Sequence, residues 1–260
     1  MKALIQTLPL LLLVAGACSI KENRFECPCY LHVSFEERTA IGHDGVRMIA
    51  WNSDEVFHDT DIDITEHDPY WVRAVRKDQF TLSACRGISG ARVSSHAVTV
   101  AEGSEFPPAW ASYHWIDATG ENAYTDFLLH KQYARVRLQC REGGPRMEDL
   151  AFTVRGTSCG FDLLSLQAVE GAFRFDPVNS GDEVCFRVPR QADAALSLSI
   201  CRNGEYVGDF ALGRYLQRCG YDWKALDLKD IDVVLDLVIG KLYLIVDGWE
   251  EGSVINLEEI

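Results

Sequence analysis

Residues 134–154 read Ala-Arg-Val-Arg-Leu-Gln-Cys-Arg-Glu-Gly-Gly-Pro-Arg-Met-Glu-Asp-Leu-Ala-Phe-Thr-Val. Ala134, Val136 and Leu138 alternate with Arg135, Arg137 and Gln139. That period of two sends one set of side chains to a core and the other to water, the signature of a half-buried strand. The run Arg141-Glu142-Gly143-Gly144-Pro145-Arg146 then interrupts the pattern before Leu150 to Val154 begin a new apolar stretch. Glycine permits left-handed backbone and proline fixes φ, so this run marks a turn. The stretch predicts strand, turn and strand, with a domain boundary near residue 150.

The same alternation recurs on both sides. Leu31, Val33 and Phe35 carry it near the start, and Phe80, Leu82 and Ala84 alternate with Thr81 and Ser83. Val184, Phe186 and Val188 flank Cys185 and Arg187, and Leu196, Leu198 and Ile200 flank Ser197 and Ser199. No long stretch has helical periodicity. Short strands punctuated by Asn203-Gly204 and Asp247-Gly248 favour antiparallel hairpins over βαβ units. The fold class expected is all-β, as two tandem antiparallel sandwiches over residues 27–150 and 151–260, each of a size usual for a domain.

The first 17 residues have a different character. Lys2 precedes a short apolar run, and Ala15-Gly16-Ala17 offers small residues for a cleavage site, which together read as an export signal. Gln6, Thr7 and Pro9 interrupt a run already shorter than the roughly 20 residues that span a bilayer. Cys18 directly after Ala17 resembles a lipobox, with cleavage between Ala17 and Cys18 and acyl chains such as palmitate on Cys18. Each buried methylene of such chains contributes about 0.8 kcal/mol, so several chains attach a protein durably. Residues 18–26 would be the lipidated tether. Ser19 in place of an aspartate leads us to expect the outer membrane and a surface-exposed location.

The chain carries a formal net charge of −14, which becomes −15 once Lys2 leaves with the signal. That balance argues against nucleic acid and anionic lipid as partners. Besides Cys18 there are Cys27, Cys29, Cys85 and Cys140, then Cys159, Cys185, Cys201 and Cys219. An even set in an exported chain suggests disulfides, though the pairing is not readable and buried thiols are the alternative.

Motifs that could carry chemistry are few. Gly156-Thr157-Ser158-Cys159-Gly160 fits the G-x-S-x-G pattern of a nucleophilic serine. That pattern needs a histidine later in the chain, and all seven histidines lie before residue 131, so a glycine-bearing turn between strands is expected instead. Asp59-Thr60-Asp61-Ile62-Asp63 starts like a calcium loop, but Ile64 and Tyr70 occupy the positions of its glycine and glutamate. Alternating aspartates suit the solvated face of an edge strand better. The histidines lack zinc spacing, and Cys27-Pro28-Cys29 is no C-x-x-C site, so neither metal nor cofactor is expected. Trp110, Tyr113, His114 and Trp115, after Phe106-Pro107-Pro108, could stack on a sugar or pack into a core.

With these residues in place a resemblance emerges. Cys18-Ser19-Ile20-Lys21-Glu22-Asn23-Arg24, followed by Cys27-Pro28-Cys29 and a strand, looks like the start of FimB/Mfa-type fimbrial anchor lipoproteins. Gly213-Arg214-Tyr215-Leu216, Gly220-Tyr221-Asp222-Trp223, Leu228-Lys229-Asp230-Ile231 and Leu242 to Trp249 resemble that family's closing strands. The resemblance implies a pair of transthyretin-like sandwiches held by lipid in the outer membrane at the base of a type V pilus, limiting its length. It implies a fimbrial stalk subunit as partner, joined by β-strand addition, and no catalytic role. Nothing in the sequence singles out the partner-binding residues. The rival expectations are a surface glycan-binding lipoprotein using the Trp110 to Trp115 region and a hydrolase using Ser158.

Overall fold

The computed structural model describes residues 27–36, 45–52, 55–63, 70–179, 181–237, 241–246 and 249–256. The signal, Cys18, the tether and the Asp247-Gly248 pair lie outside these residues. The described chain is almost wholly β, as expected, and among the described residues no helix is long and apolar enough to cross a membrane.

The first sandwich has a three-stranded and a five-stranded sheet. In the smaller sheet β1 (Cys29–Phe35) lies between β4 (Tyr70–Val75) and β9 (Asn122–Phe127). β1 pairs antiparallel with β4 and parallel with β9. In the larger sheet β10 (His130–Lys131), β8 (Trp110–Asp117), β5 (Gln79–Arg86), β2 (Val46–Asn52) and β3 (Glu55–Ile62) follow in that order, all antiparallel. Leu31, Val33, Phe35, Met48, Leu82, Ile116 and Phe127 fill the core between the two sheets.

The second sandwich is larger. One sheet runs β14 (Glu183–Pro189), β11 (Tyr133–Cys140), β17 (Ile231–Asp236), β18 (Lys241–Val246) and β19 (Trp249–Asn256). The other runs β16 (Glu205–Phe210), β15 (Ser197–Arg202), β12 (Leu150–Asp162), β7 (Ala97–Thr99) and β6 (Arg92–Ser94), with β13 (Ala168–Phe175) also paired to β12. Sheet pairing thus crosses residue 150: β11 pairs with β14 and β17, and β7 pairs with Gly160 to Asp162 of β12. Alternation in a strand fixes its buried face and leaves its partner open, which is why position in sequence alone did not assign β6, β7 and β11. The β1–β9 and β11–β17 pairs are parallel, exceptions within sheets expected to be antiparallel.

Local sequence explains several joints. Asn203 and Gly204 both have positive φ, 50° and 83°, between the paired Arg202 and Glu205. This is the backbone of a two-residue hairpin whose twist matches its strands. Leu212–Arg218 forms one short helix, α1, with Leu212, Tyr215 and Leu216 buried at helical spacing. The segments Gly213 to Leu216 and Gly220 to Trp223, expected among closing strands, are therefore helix and loop, whereas Ile231 and the backbone from Leu242 do enter strands. Arg190 ties the loop after α1 down. Its buried guanidinium donates to Gln132 Oε1 at 3.0 Å, to the Leu226 carbonyl at 3.2 Å and to the Trp223 carbonyl. Burial among these neutral acceptors lowers its pKa.

Candidate docking surfaces

Ser158 sits inside β12, not in a turn, and is completely buried. Its Oγ accepts the Ala192 N–H at 3.0 Å. β12 shifts register on either side of Ser158 against β13. The two glycines allow close packing there, since a Cβ on Gly160 would lie 1.8 Å from the Val98 carbonyl oxygen and one on Gly156 2.7 Å from Gln191 Oε1. The motif is thus a packing device in a strand.

The aspartates behave as the edge reading anticipated. β3 is the last strand of its sheet, and Arg47 grips Asp59 with two bonds, Nε to Oδ1 at 2.9 Å and Nη2 to Oδ2 at 2.7 Å. That hydrogen-bonded guanidinium holds the Asp59 carboxyl below its ordinary pKa. Among the described residues no group of three or more His, Cys, Asp or Glu is placed to hold a metal.

All eight described cysteines are free thiols, so the expected disulfides do not form among them. For four of them the registers show what stands opposite instead. Cys85 lies opposite Arg47 and Ala111, Cys140 opposite Leu235, Cys185 opposite Arg137, and Cys201 opposite Ala151 and Tyr206. A bridge needs its two Cα atoms within about 7 Å, and no cysteine faces another across these ladders. Cys85 is fully buried, and burial pushes its thiol up to about 12.

The aromatic run after Phe106 divides. Phe106 is buried edge-on to Phe161, and Trp110 lies under the Arg86 guanidinium and against Tyr133. His114 turns into the first sandwich, where it meets Phe127 and its Nδ1 lies 3.0 Å from the Thr125 hydroxyl. Burial lowers its pKa. Tyr113 and Trp115 alone of this group are exposed on the outer face of the five-stranded sheet. The proposed sugar platform is therefore split over two faces.

A more continuous surface lies on the other side of the first sandwich, on the outer face of the three-stranded sheet. Registers place Tyr70, Ser34 and Asp126 in one row, Val72, His32 and Tyr124 in the next, and Ala74, Tyr30 and Asn122 in a third. Tyr30, Tyr70 and Tyr124 are 51, 68 and 75% exposed, values that leave ring faces in water. The His32 ring stacks on Tyr124 with centroids 4.7 Å apart, and His32 Nε2 lies 3.1 Å from Asn122 Oδ1. The Ser34 hydroxyl donates to Asp126. Sequence reading did not single out these residues, though the alternation in Cys-Tyr-Leu-His-Val-Ser-Phe and Asn-Ala-Tyr-Thr-Asp-Phe does contain them.

The sheet edges differ in how they are guarded. β3 carries Glu55, Asp59 and Asp61; β14 carries Glu183 and Arg187 and ends in Pro189. β16 is irregular beside its bulge against β15. β4, Tyr-Trp-Val-Arg-Ala-Val, has one charge in six residues, and Tyr70 and Val72 are exposed. Charges, proline and bulges are the usual devices against adventitious pairing, and β4 has few of them, as does β9 at the other edge of its sheet, whose one charge is Asp126.

Neither a protein-family model nor a curated protein matches the sequence. Solved structures share its fold nearly end to end. A candidate polysaccharide-binding protein from Bacteroides thetaiotaomicron matches with a TM-score of 0.64 at 15% identity, over 89% of this chain and 99% of that one. A candidate adhesin from Bacteroides ovatus gives 0.65 at 12%, over 93% and 99%. The fimbrial anchor protein Mfa2 from Porphyromonas gingivalis gives 0.60 at 12%, over 88% and 99%. The fold is thus one also found in adhesin-like and fimbrial proteins of these bacteria. The resemblance to the FimB/Mfa type seen in the sequence is met at the level of fold.

Proposed function

We propose that this chain is a lipid-anchored base subunit of a fimbrium. The signal, residues 1–17, leaves between Ala17 and Cys18, and Cys18 carries the acyl chains in the outer membrane. The sandwiches, exposed at the cell surface, hold the first stalk subunit and limit the fibre's length. What supports this reading is a conjunction: a sequence at Ala15 to Cys18 that resembles a lipobox, ahead of a fold shared with a fimbrial anchor protein over 88% of the chain. The hydrolase alternative loses support because Ser158 is buried with its hydroxyl engaged.

Strand addition needs an edge with free backbone groups and room for alternate side chains. β4 suits it, being an edge strand with a single charge and apolar side chains at Trp71, Val72 and Val75. The test is a pull-down of surface proteins from native cells with tagged wild type and Cys18→Ala. A fimbrial ladder that co-purifies with wild type, together with shed fimbriae in the variant, is expected. Recovery of no fimbrial protein from either overturns the reading. Hydrogen exchange on the complex checks the edge: the β4 amides gain protection on binding, and protection confined to β3, β14 or β16 overturns that assignment.

A further inference from the structure

We infer that the outer face of the three-stranded sheet binds a neutral polysaccharide. The inference goes beyond the fimbrial reading and does not depend on it. Three tyrosines, Tyr30, Tyr70 and Tyr124, are each more than half exposed on one face of the sheet. A ring with an apolar body and a wet hydroxyl matches a sugar, which offers C–H groups on its faces and hydroxyls around its rim. Between the rings stand groups that trade hydrogen bonds with hydroxyls: Asn122, whose Oδ1 lies 3.1 Å from His32 Nε2, and Asp126, which accepts from Ser34. The Tyr124 ring is held in place by its stack on His32, so little freedom is lost when a ligand lies on it.

Charge and shape select the class of ligand. The nine positions of the face include one carboxylate, Asp126, and no lysine or arginine, and the chain's net charge is −14. An acidic polymer is repelled there and finds no cation to pair with. A protein partner is normally seated by a side chain that enters a central, desolvated pocket. Here each row of the face carries a polar side chain, Ser34 and Asp126 in the first, His32 in the second and Asn122 in the third, an arrangement suited to an extended chain of sugars. The face lies opposite Tyr113 and Trp115, which occupy the outer side of the other sheet.

The test is affinity electrophoresis of the whole chain carrying Cys18→Ala, in gels cast with a neutral β-glucan, a neutral α-mannan, a neutral galactan or polygalacturonate. Retardation by at least one neutral polymer is expected, weakened about tenfold or more in Tyr124→Ala and in Tyr30→Ala and unchanged in Trp115→Ala. Both tyrosines are exposed, and the variants are to melt within a few degrees of the parent. Migration unaffected by every neutral polymer, retardation by polygalacturonate alone, or retardation that survives both tyrosine changes overturns the proposal. So does loss of the fimbrial ladder from Tyr124→Ala in the pull-down, which would make the face a protein contact. A retained ladder with lost glycan binding separates this proposal from the anchor reading.

Discussion

The two sheets of the first sandwich share a core but live under different conditions outside it. In β1 every second residue is buried, Cys29, Leu31, Val33 and Phe35, while Tyr30, His32 and Ser34 look outward. In β2 the run Met48-Ile49-Ala50-Trp51 is buried throughout. Met48 and Ala50 belong to the first sandwich's core, and Ile49 and Trp51 to the core of the second. Cys85 of β5 and Ala111 of β8 join them there. One sheet therefore has a wet outer face and the other is covered on both sides along part of its length. Alternation marks the first condition and an unbroken apolar run the second.

Three experiments sharpen or break this contrast. Trp51→Ala empties a fully buried site on the covered face and is expected to lower stability by about 3–5 kcal/mol in urea titrations. Tyr30→Ala, on the open face, should stay within about 0.5 kcal/mol, and equal losses would show that both faces are covered. Ser83 is the polar tie of the covered face: it accepts from Trp51 Nε1 at 3.1 Å and donates to the Leu163 carbonyl at 2.9 Å. Ser83→Ala leaves both buried partners unpaired and should lower stability by about 1–3 kcal/mol. A neutral result would mean that the Leu163 loop is not fixed to this sheet.

A small effect belongs to the rim as well, where Arg47 and Asp59 pair at side-chain exposures of 33 and 39%. Solvent screens the pair, so its contribution is under about 1 kcal/mol. The Asp59 carboxyl titrates lower in the folded chain than in the unfolded one. Its stabilisation is therefore complete above the unfolded value near about 4 and disappears as pH falls through the lower folded value. Denaturation curves of wild type and Asp59→Asn should differ at pH 6 and converge near pH 2. A difference that grows on acidification would contradict the pairing.

Much of this fold was legible because it is written locally. The alternations that mark β1, β5, β11, β14 and β15, and the Asn203-Gly204 hairpin, depend on neighbours in sequence. The partnerships were not legible, because they are set by surfaces far apart in the chain. β6 and β7 have three residues each, too few for a period to show, and α1 presents its buried face through only Leu212, Gly213, Tyr215 and Leu216. The open aromatic face needs residues 32 and 124 side by side, which the parallel pairing of β1 with β9 achieves. The Gly156 to Gly160 segment was expected to be a turn, yet it lies inside β12, where the glycines permit close approach of Val98 and Gln191. The cysteines misled because their number was even while their registers keep them apart.

The place of β1 also has a mechanical meaning. A pull on the chain ahead of Cys29 runs along β1, the middle strand of its sheet, with β4 on one side and β9 on the other. The bonds to both neighbours lie across the direction of such a pull, perpendicular or slanted to it. They are loaded together in shear and must fail together, instead of opening one after another as in a hairpin peeled from its end.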